Sequence, residues 1–190
     1  MAFILKWLPK VSSFVAQKHS IDGLLTFKPE VYRDDRGFLY ESFRSTWLPD
    51  YSFVQENRSR SCKSTLRGLH YQLKKPQGKL IQVVKGEIFD VALDLRRSSK
   101  TFGLHTAILL TEKKHELFWI PPGFAHGFLV VSQAADLVYK CTNFYEPEDQ
   151  HVIHWNDPEI NINWPLADVS PVVSEHDKNA PAFHSAKVFR

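Results

Sequence analysis

At 190 residues the chain has the size of one domain, able to bury a core without disulfides or metals as staples. Its 43% hydrophobic and 24% charged residues are ordinary for a globular protein, and a net charge of +3 is too small and too dispersed for a nucleic-acid-binding stripe. Cys62 and Cys141 stand alone, which excludes a disulfide framework and fits a reducing cytoplasm, and no run is long and uncharged enough to span a bilayer.

The first eighteen residues, MAFILKWLPKVSSFVAQK, place Ile4, Trp7, Leu8, Val11 and Val15 at helical spacing, with Lys6, Lys10 and Gln17 between them. Pro9 would kink or delay such a helix. No small-residue cleavage site follows, so residues 1–18 read as an extension that packs on the domain or on a partner subunit. Residues 19–190 read as a single domain.

From Ile21 the pattern is strand-like. "STWLPDY" is locally helical or loop-like, and "FVQENRS" then aligns Gln55 with Asn57. Gly86 in "VVKGEIF" sits between two strand-like runs and reads as a hairpin turn. "EIFDVALDLR" alternates Phe89, Val91, Leu93 and Leu95 with Asp90, Ala92, Asp94 and Arg96. "TEKKHE" is another helical or loop-like piece, and "IPPGFAHGF" makes a stiff corner before the next strand. "DLVYKCTNFY" puts Leu137, Tyr139, Cys141, Asn143 and Tyr145 on one face. After about residue 156 a Pro- and Asp-rich tail lies over the surface. Many strands with few short helices and no repeat predict an all-β antiparallel sandwich or jelly-roll barrel.

No Gly-x-Gly-x-x-Gly or P-loop pattern occurs, so a phosphorylated ligand would be held by side chains such as arginine. The chemistry centres on His70 in "TLRGLHYQ". It can be a core histidine satisfied by a neighbour, a metal ligand or a base. Strict alternation puts Arg67 and His70 on opposite faces, but a bulge at Gly68 would turn both into one cavity. A metal-binding His-x-His pair is missing, because position 72 is Gln; His126 alone does not complete a site. Proton abstraction next to a ketone fits better, provided that a cation or donor stabilises the enolate and a carboxylate orients the base. Lys79 could be that cation, and Tyr139 a neutral proton donor on the opposite side.

Taken together, "DDRGFLYESF", "FVQENRSRS", "LRGLHYQ", "QGKLIQVVKGEIFDVALDLRRSS", "FWIPPGFAHGFLV", "YKCTNFYEPE", "WNDPEININWP" and "SEHD" closely resemble the dTDP-4-dehydrorhamnose 3,5-epimerases, in order over roughly residues 21 to 178. The resemblance implies a cupin-type jelly roll that works as a homodimer without metal or other cofactor. Such enzymes invert C3 and C5 of dTDP-4-dehydro-6-deoxy-D-glucose on the way to dTDP-L-rhamnose and cell-envelope polysaccharide. Carried over, His70 is the base, Asp177 its carboxylate partner, Lys79 the enolate stabiliser and Tyr139 the acid across the sugar. Tyr145 stacks on thymine and Arg67 holds the diphosphate, while Arg36, Glu41, Gln55, Asn57 and His126 complete the pocket, some across the dimer.

The chain departs from the family at four places. Glu56 replaces an Asp, Gln150 a substrate-contacting Glu, His176 a Lys before the catalytic Asp, and Arg58 a frequent His. These changes bear on nucleotide contacts and substrate identity. A single C3- or C5-epimerase uses the same groups and remains open. So do a jelly-roll sugar-binding module without turnover and a metal-dependent cupin enzyme.

Overall fold

The alternating segments form strands in the computed structural model, which describes residues 14–166 and 169–190. Among the described residues the strands are β1 (Phe14–Lys18), β2 (Leu25–Pro29), β3 (Val31–Asp34), β4 (Gly37–Tyr40), β5 (Gln55–Cys62), β6 (Leu66–Gln72) and β7 (Lys79–Lys85). They continue as β8 (Glu87–Asp94), β9 (His105–Thr111), β10 (Leu117–Ile120), β11 (Phe124–Val130), β12 (Ala134–Cys141) and β13 (Gln150–Val152). The one α-helix among the described residues is the single turn α1 (Glu175–Lys178).

Two sheets face each other, in the orders β1-β2-β10-β7-β12-β5 and β13-β6-β11-β8-β9, and β3 and β4 form a separate hairpin. Pairing between the named strands is antiparallel throughout. The all-β jelly roll expected from the sequence is therefore the fold observed. Its interior is filled by Ile81, Val83, Phe118 and Leu137 from the first sheet and by Ile88, Ala92, Phe124 and Phe128 from the second. Burying such aliphatic and aromatic side chains contributes about 1.5–3 kcal/mol each.

Both faces of β8 are buried. Ile88 and Ala92 face the interior, whereas Val91 and Leu93 pack outward under Ile160, Ile162, Trp164 and Phe183. The tail thus lies over the surface as expected, and it also seals the outer face of the second sheet. That placement brings α1 against β6.

Two expectations are corrected. The helical spacing of the first eighteen residues does not continue through Val15, because Phe14–Lys18 is strand, paired along its length with β2. Phe14 packs against Phe27 and Trp47 at ring centroid distances of 5.5 and 5.0 Å, and tertiary contact overrides local periodicity. Residues 14–18 thus pack on the domain as a strand, and the rest of the expected extension, residues 1–13, lies outside the described residues. Gly86, in turn, does not close a hairpin. β7 and β8 belong to opposite sheets, so Gly86 (φ +79°) carries the chain from one to the other, packed against the Ala134 carbonyl where a Cβ would not fit.

Candidate active site

One end of the barrel opens into a cavity of about 320 Å³, lined among others by Gln55, Asn57, His70, Lys79, Tyr139, Tyr145 and Gln150. The first sheet builds its wall in rows. Lys79, Cys141 and Gln55 are neighbours across β7, β12 and β5, and Ile81, Tyr139 and Asn57 form the next row. Successive interior residues of a strand lie two positions apart, so the alternation that buries Ile81 and Leu137 also aims Lys79 and Tyr139 inward.

The second sheet supplies His70 through a bulge. His126 pairs with His70 and Phe128 with Arg67, so two residues of β6 stand opposite Gly127 alone. Gly68 has φ +129°, and a Cβ there would lie 2.5 Å from the Gly127 Cα, so only glycine fits. The bulge expected at Gly68 is present and turns Arg67 and His70 to one side.

His70 Nε2 lies 2.6 Å from Asp177 Oδ1. The carboxylate comes from α1, whose cap Ser174 accepts the Asp177 amide at 3.1 Å. Asp177 Oδ2 accepts the Gly68 N–H at 3.3 Å. The bulge glycine thus anchors the partner of the histidine it displaces. Asp177 is almost wholly buried at 3% side-chain exposure, while His70 keeps 28% open to the cavity.

Burial pushes the His70 pKa down, more than the hydrogen bond and charge of Asp177 push it up, and Lys79 and His126 add to the lowering. His70 is therefore neutral at pH 7, as a base must be. Burial alone would raise Asp177, but the His70 hydrogen bond and charge, the Gly68 amide and His176 bring it below the usual carboxylate value. An ionised carboxylate only accepts, so Nε2 carries the proton and Nδ1 is the basic nitrogen. Burial lowers Lys79, with Cys141 and Asp90 acting against it. Burial raises the Tyr139 phenol, which stays protonated. Burial also raises the Cys141 thiol, which leaves it a poor nucleophile.

The remaining expected residues divide. Tyr145 borders the cavity half-exposed, and its hydroxyl donates to Gln150 Oε1. Gln55 Nε2 donates to Asn57 Oδ1 at 3.0 Å. Arg67 donates to Ser61 Oγ at 3.2 Å, and His126 pairs with Asp90 at 2.9 Å behind His70. His176 is exposed, its Nδ1 3.8 Å from Asp177. Arg67, His126 and His176 adjoin the cavity without lining it, and three further expected residues lie away from it within one chain. Arg36 pairs with Asp34 and Glu41 with Arg44 around the β3–β4 hairpin. Glu56 points off the opposite face of β5 to Lys140, because it alternates with Gln55 and Asn57.

Tyr71, Gln72 and Gln77, absent from the expected site residues, line the same cavity, as does Arg58, noted in the sequence only as a departure from the family. Gln72 shares the parity of His70 on β6, a signal visible in the sequence. Gln77 had no such signal, since it lies on the loop before β7. Among the described residues, His70, His176 and Asp177 are the one group whose ligand atoms could surround a metal. The fit is poor: a metal on Asp177 would compete with the His70 hydrogen bond, and Gln72 still occupies the place of a second β6 histidine.

A family model described as dTDP-4-dehydrorhamnose 3,5-epimerase matches residues 18–185. The dTDP-4-dehydrorhamnose 3,5-epimerase of Pseudomonas aeruginosa is 46% identical, over 92% of this chain and 98% of its own. The crystal structure of dTDP-6-deoxy-D-glucose-3,5-epimerase from Legionella pneumophila, in complex with dTDP-4-keto-L-rhamnose, matches with TM-score 0.90 at 42% identity, covering 94% of this chain and 98% of that one. A 3'-monoepimerase from Streptomyces bikiniensis in complex with dTDP-quinovose matches with TM-score 0.84 at 30% identity, covering 90% and 88%. With motif order, fold and cavity in agreement, the chain belongs to the dTDP-4-dehydrorhamnose 3,5-epimerase family.

Proposed function

We propose that the protein inverts C3 and C5 of dTDP-4-dehydro-6-deoxy-D-glucose, giving the dTDP-L-rhamnose precursor, without a metal or cofactor. The observation that carries this reading is the buried His70–Asp177 pair, open to a cavity that also holds Lys79 and Tyr139. His70 takes the proton from the carbon next to the C4 ketone. The C–H electrons form the enolate, and the charge on its oxygen meets Lys79. Tyr139 then gives its phenolic proton to the carbon from the other face and recovers one from solvent, while His70 releases to solvent the proton it took. Repetition at the second carbon completes the double inversion.

Tyr145 stacks on the thymine, with Gln150 bracing its hydroxyl, and Arg67 holds the diphosphate with a guanidinium fork. Gln55, Asn57, His126 and His176 border the sugar and nucleotide. The working unit is a homodimer in which Arg36, Glu41 and Glu56 serve substrate binding across the subunit boundary. Their placement outside the cavity of their own chain supports that arrangement. A nucleotide-sugar substrate and two free thiols support a cytoplasmic setting. Among the described residues no helix is long and apolar enough to cross a membrane.

The second reading is a single epimerase, favoured by the match to a 3'-monoepimerase of the same fold. Incubation with dTDP-4-dehydro-6-deoxyglucose in deuterated water, followed by NMR, separates the two. Deuterium at both C3 and C5 is the expected result, and deuterium at one carbon would favour the second reading. No exchange in wild type, or normal exchange by His70→Ala, would overturn both.

A further inference from the structure

A second histidine–aspartate pair lies beside the first. His126 on β11 stands opposite His70 on β6, and its Nε2 is 2.9 Å from Asp90 Oδ2. Asp90 is completely buried on β8, with its side chain toward the interior. Its other oxygen, Oδ1, is also buried and has no hydrogen-bond partner among the described residues. Leaving such an oxygen unmatched costs on the order of 1–3 kcal/mol, a cost that a cation nearby would offset. Lys79, on the opposing sheet, makes no ion pair within 4.0 Å among the described residues, yet Asp90 is one of the two groups whose charge acts on it. The β8 alternation explains the placement: Asp90 shares its face with Ile88 and Ala92 of the interior.

We infer that Asp90 is a positioning residue of this site: one carboxylate oxygen fixes the His126 ring, and the other is the counter-charge that holds the Lys79 ammonium at the reacting face. The inference rests on the proposed proton-transfer reading and adds to it a residue that touches no substrate. A carboxylate directly against Lys79 would neutralise the cation that the enolate needs. Set back behind His126, it keeps the ammonium charged while leaving its N–H groups for the substrate oxygen. Besides Lys79, Asp90 and His126, the titratable groups gathered at this part of the cavity are Arg67 and His70 on β6, Tyr139 and Cys141 on β12, and Asp177 on α1.

The test is Asp90→Asn, which keeps shape and removes charge, with Asp90→Glu as the conservative control. Deuterium exchange is followed against pH in wild type and both variants. Without the carboxylate Lys79 loses its proton at lower pH, so the alkaline limb of kcat/KM moves to lower pH while the His70 limb stays. Exchange at neutral pH falls about 10²-fold, and Asp90→Glu regains part of it. A folded Asp90→Asn protein with the wild-type alkaline limb would overturn the inference, whatever its rate. Should Asp90→Asn fail to fold, ¹⁵N NMR of the wild-type imidazoles decides: a protonated His126 Nε2 throughout the active range is expected, and an unprotonated one overturns the pairing. Wild type that exchanges no deuterium would instead sink the proton-transfer reading, and the imidazole spectrum, which needs no turnover, would still test the pairing.

Discussion

Arg67 and His70 are three residues apart on one strand, yet they pair with Phe128 and His126, which are two apart and share the interior face. The extra residue of β6 is absorbed at Gly68–Leu69 against Gly127. One added residue reverses the side of everything beyond it, so this bulge decides whether His70 reaches the cavity.

The bulge should be intolerant of a side chain. Gly68→Ala combines a left-handed φ with a 2.5 Å approach to the Gly127 Cα. The expected cost is about 3 kcal/mol, or roughly 6–12 °C in Tm for a chain of this size. Thermal unfolding measures it, and a variant with wild-type Tm and full exchange would show that the close approach does not constrain the site.

The lowered His70 value sets the acid limb of the pH–rate profile. Below that value the base is protonated and idle, so kcat/KM should fall only as pH drops below about 6.5. Asp177 raises His70, so Asp177→Asn should move this limb still lower. The same change should slow exchange about 10²–10⁴-fold, as the ring loses its orienting carboxylate. A limb that moves upward in Asp177→Asn would contradict the sign.

Tyr139→Phe removes the donor but not the base. Deuterium should still enter a carbon next to the ketone, returned by His70 from the face it left, while inverted product falls about 10²-fold or more. NMR of the sugar reads exchange and inversion separately. Equal loss of both would place Tyr139 in binding or in the first proton removal.

The homodimer proposal makes a mixing prediction. Arg36→Ala and His70→Ala chains should each be weak or inactive. A hybrid dimer restores one complete site, because the intact His70 and the intact Arg36 then come from different chains. Unfolding and refolding an equal mixture should return about a quarter of wild-type activity, since half of the dimers are hybrids with one good site in two. Activity no greater than the average of the two parents would place Arg36 in its own chain's site, or outside any.

Much of this was legible in the chain itself. Alternation along "EIFDVALDLR" and "DLVYKCTNFY" located β8 and β12, because a period of two marks which side chains share a face. Motif order identified the family, and the polar residues around His70 marked where chemistry would sit. The first eighteen residues misled at Val15, where helical spacing gave way to pairing with β2. Gly86 misled because a turn residue does not say whether the next strand pairs with the last or crosses to another sheet.

The sequence by itself determined the strand faces, the family and the side-chain types on offer around His70, since these depend on local alternation and on residue type. The tertiary structure decided their company. Asp177 is 107 residues from His70 and reaches it only because the tail covers the second sheet and delivers α1 to the bulge. Asp90 reads as one more alternating residue until β8 pairs with β11 and sets it diagonally beside His126. Such pairings depend on how distant strands are stacked, and their strength comes from the low-dielectric interior that forms only when the barrel closes.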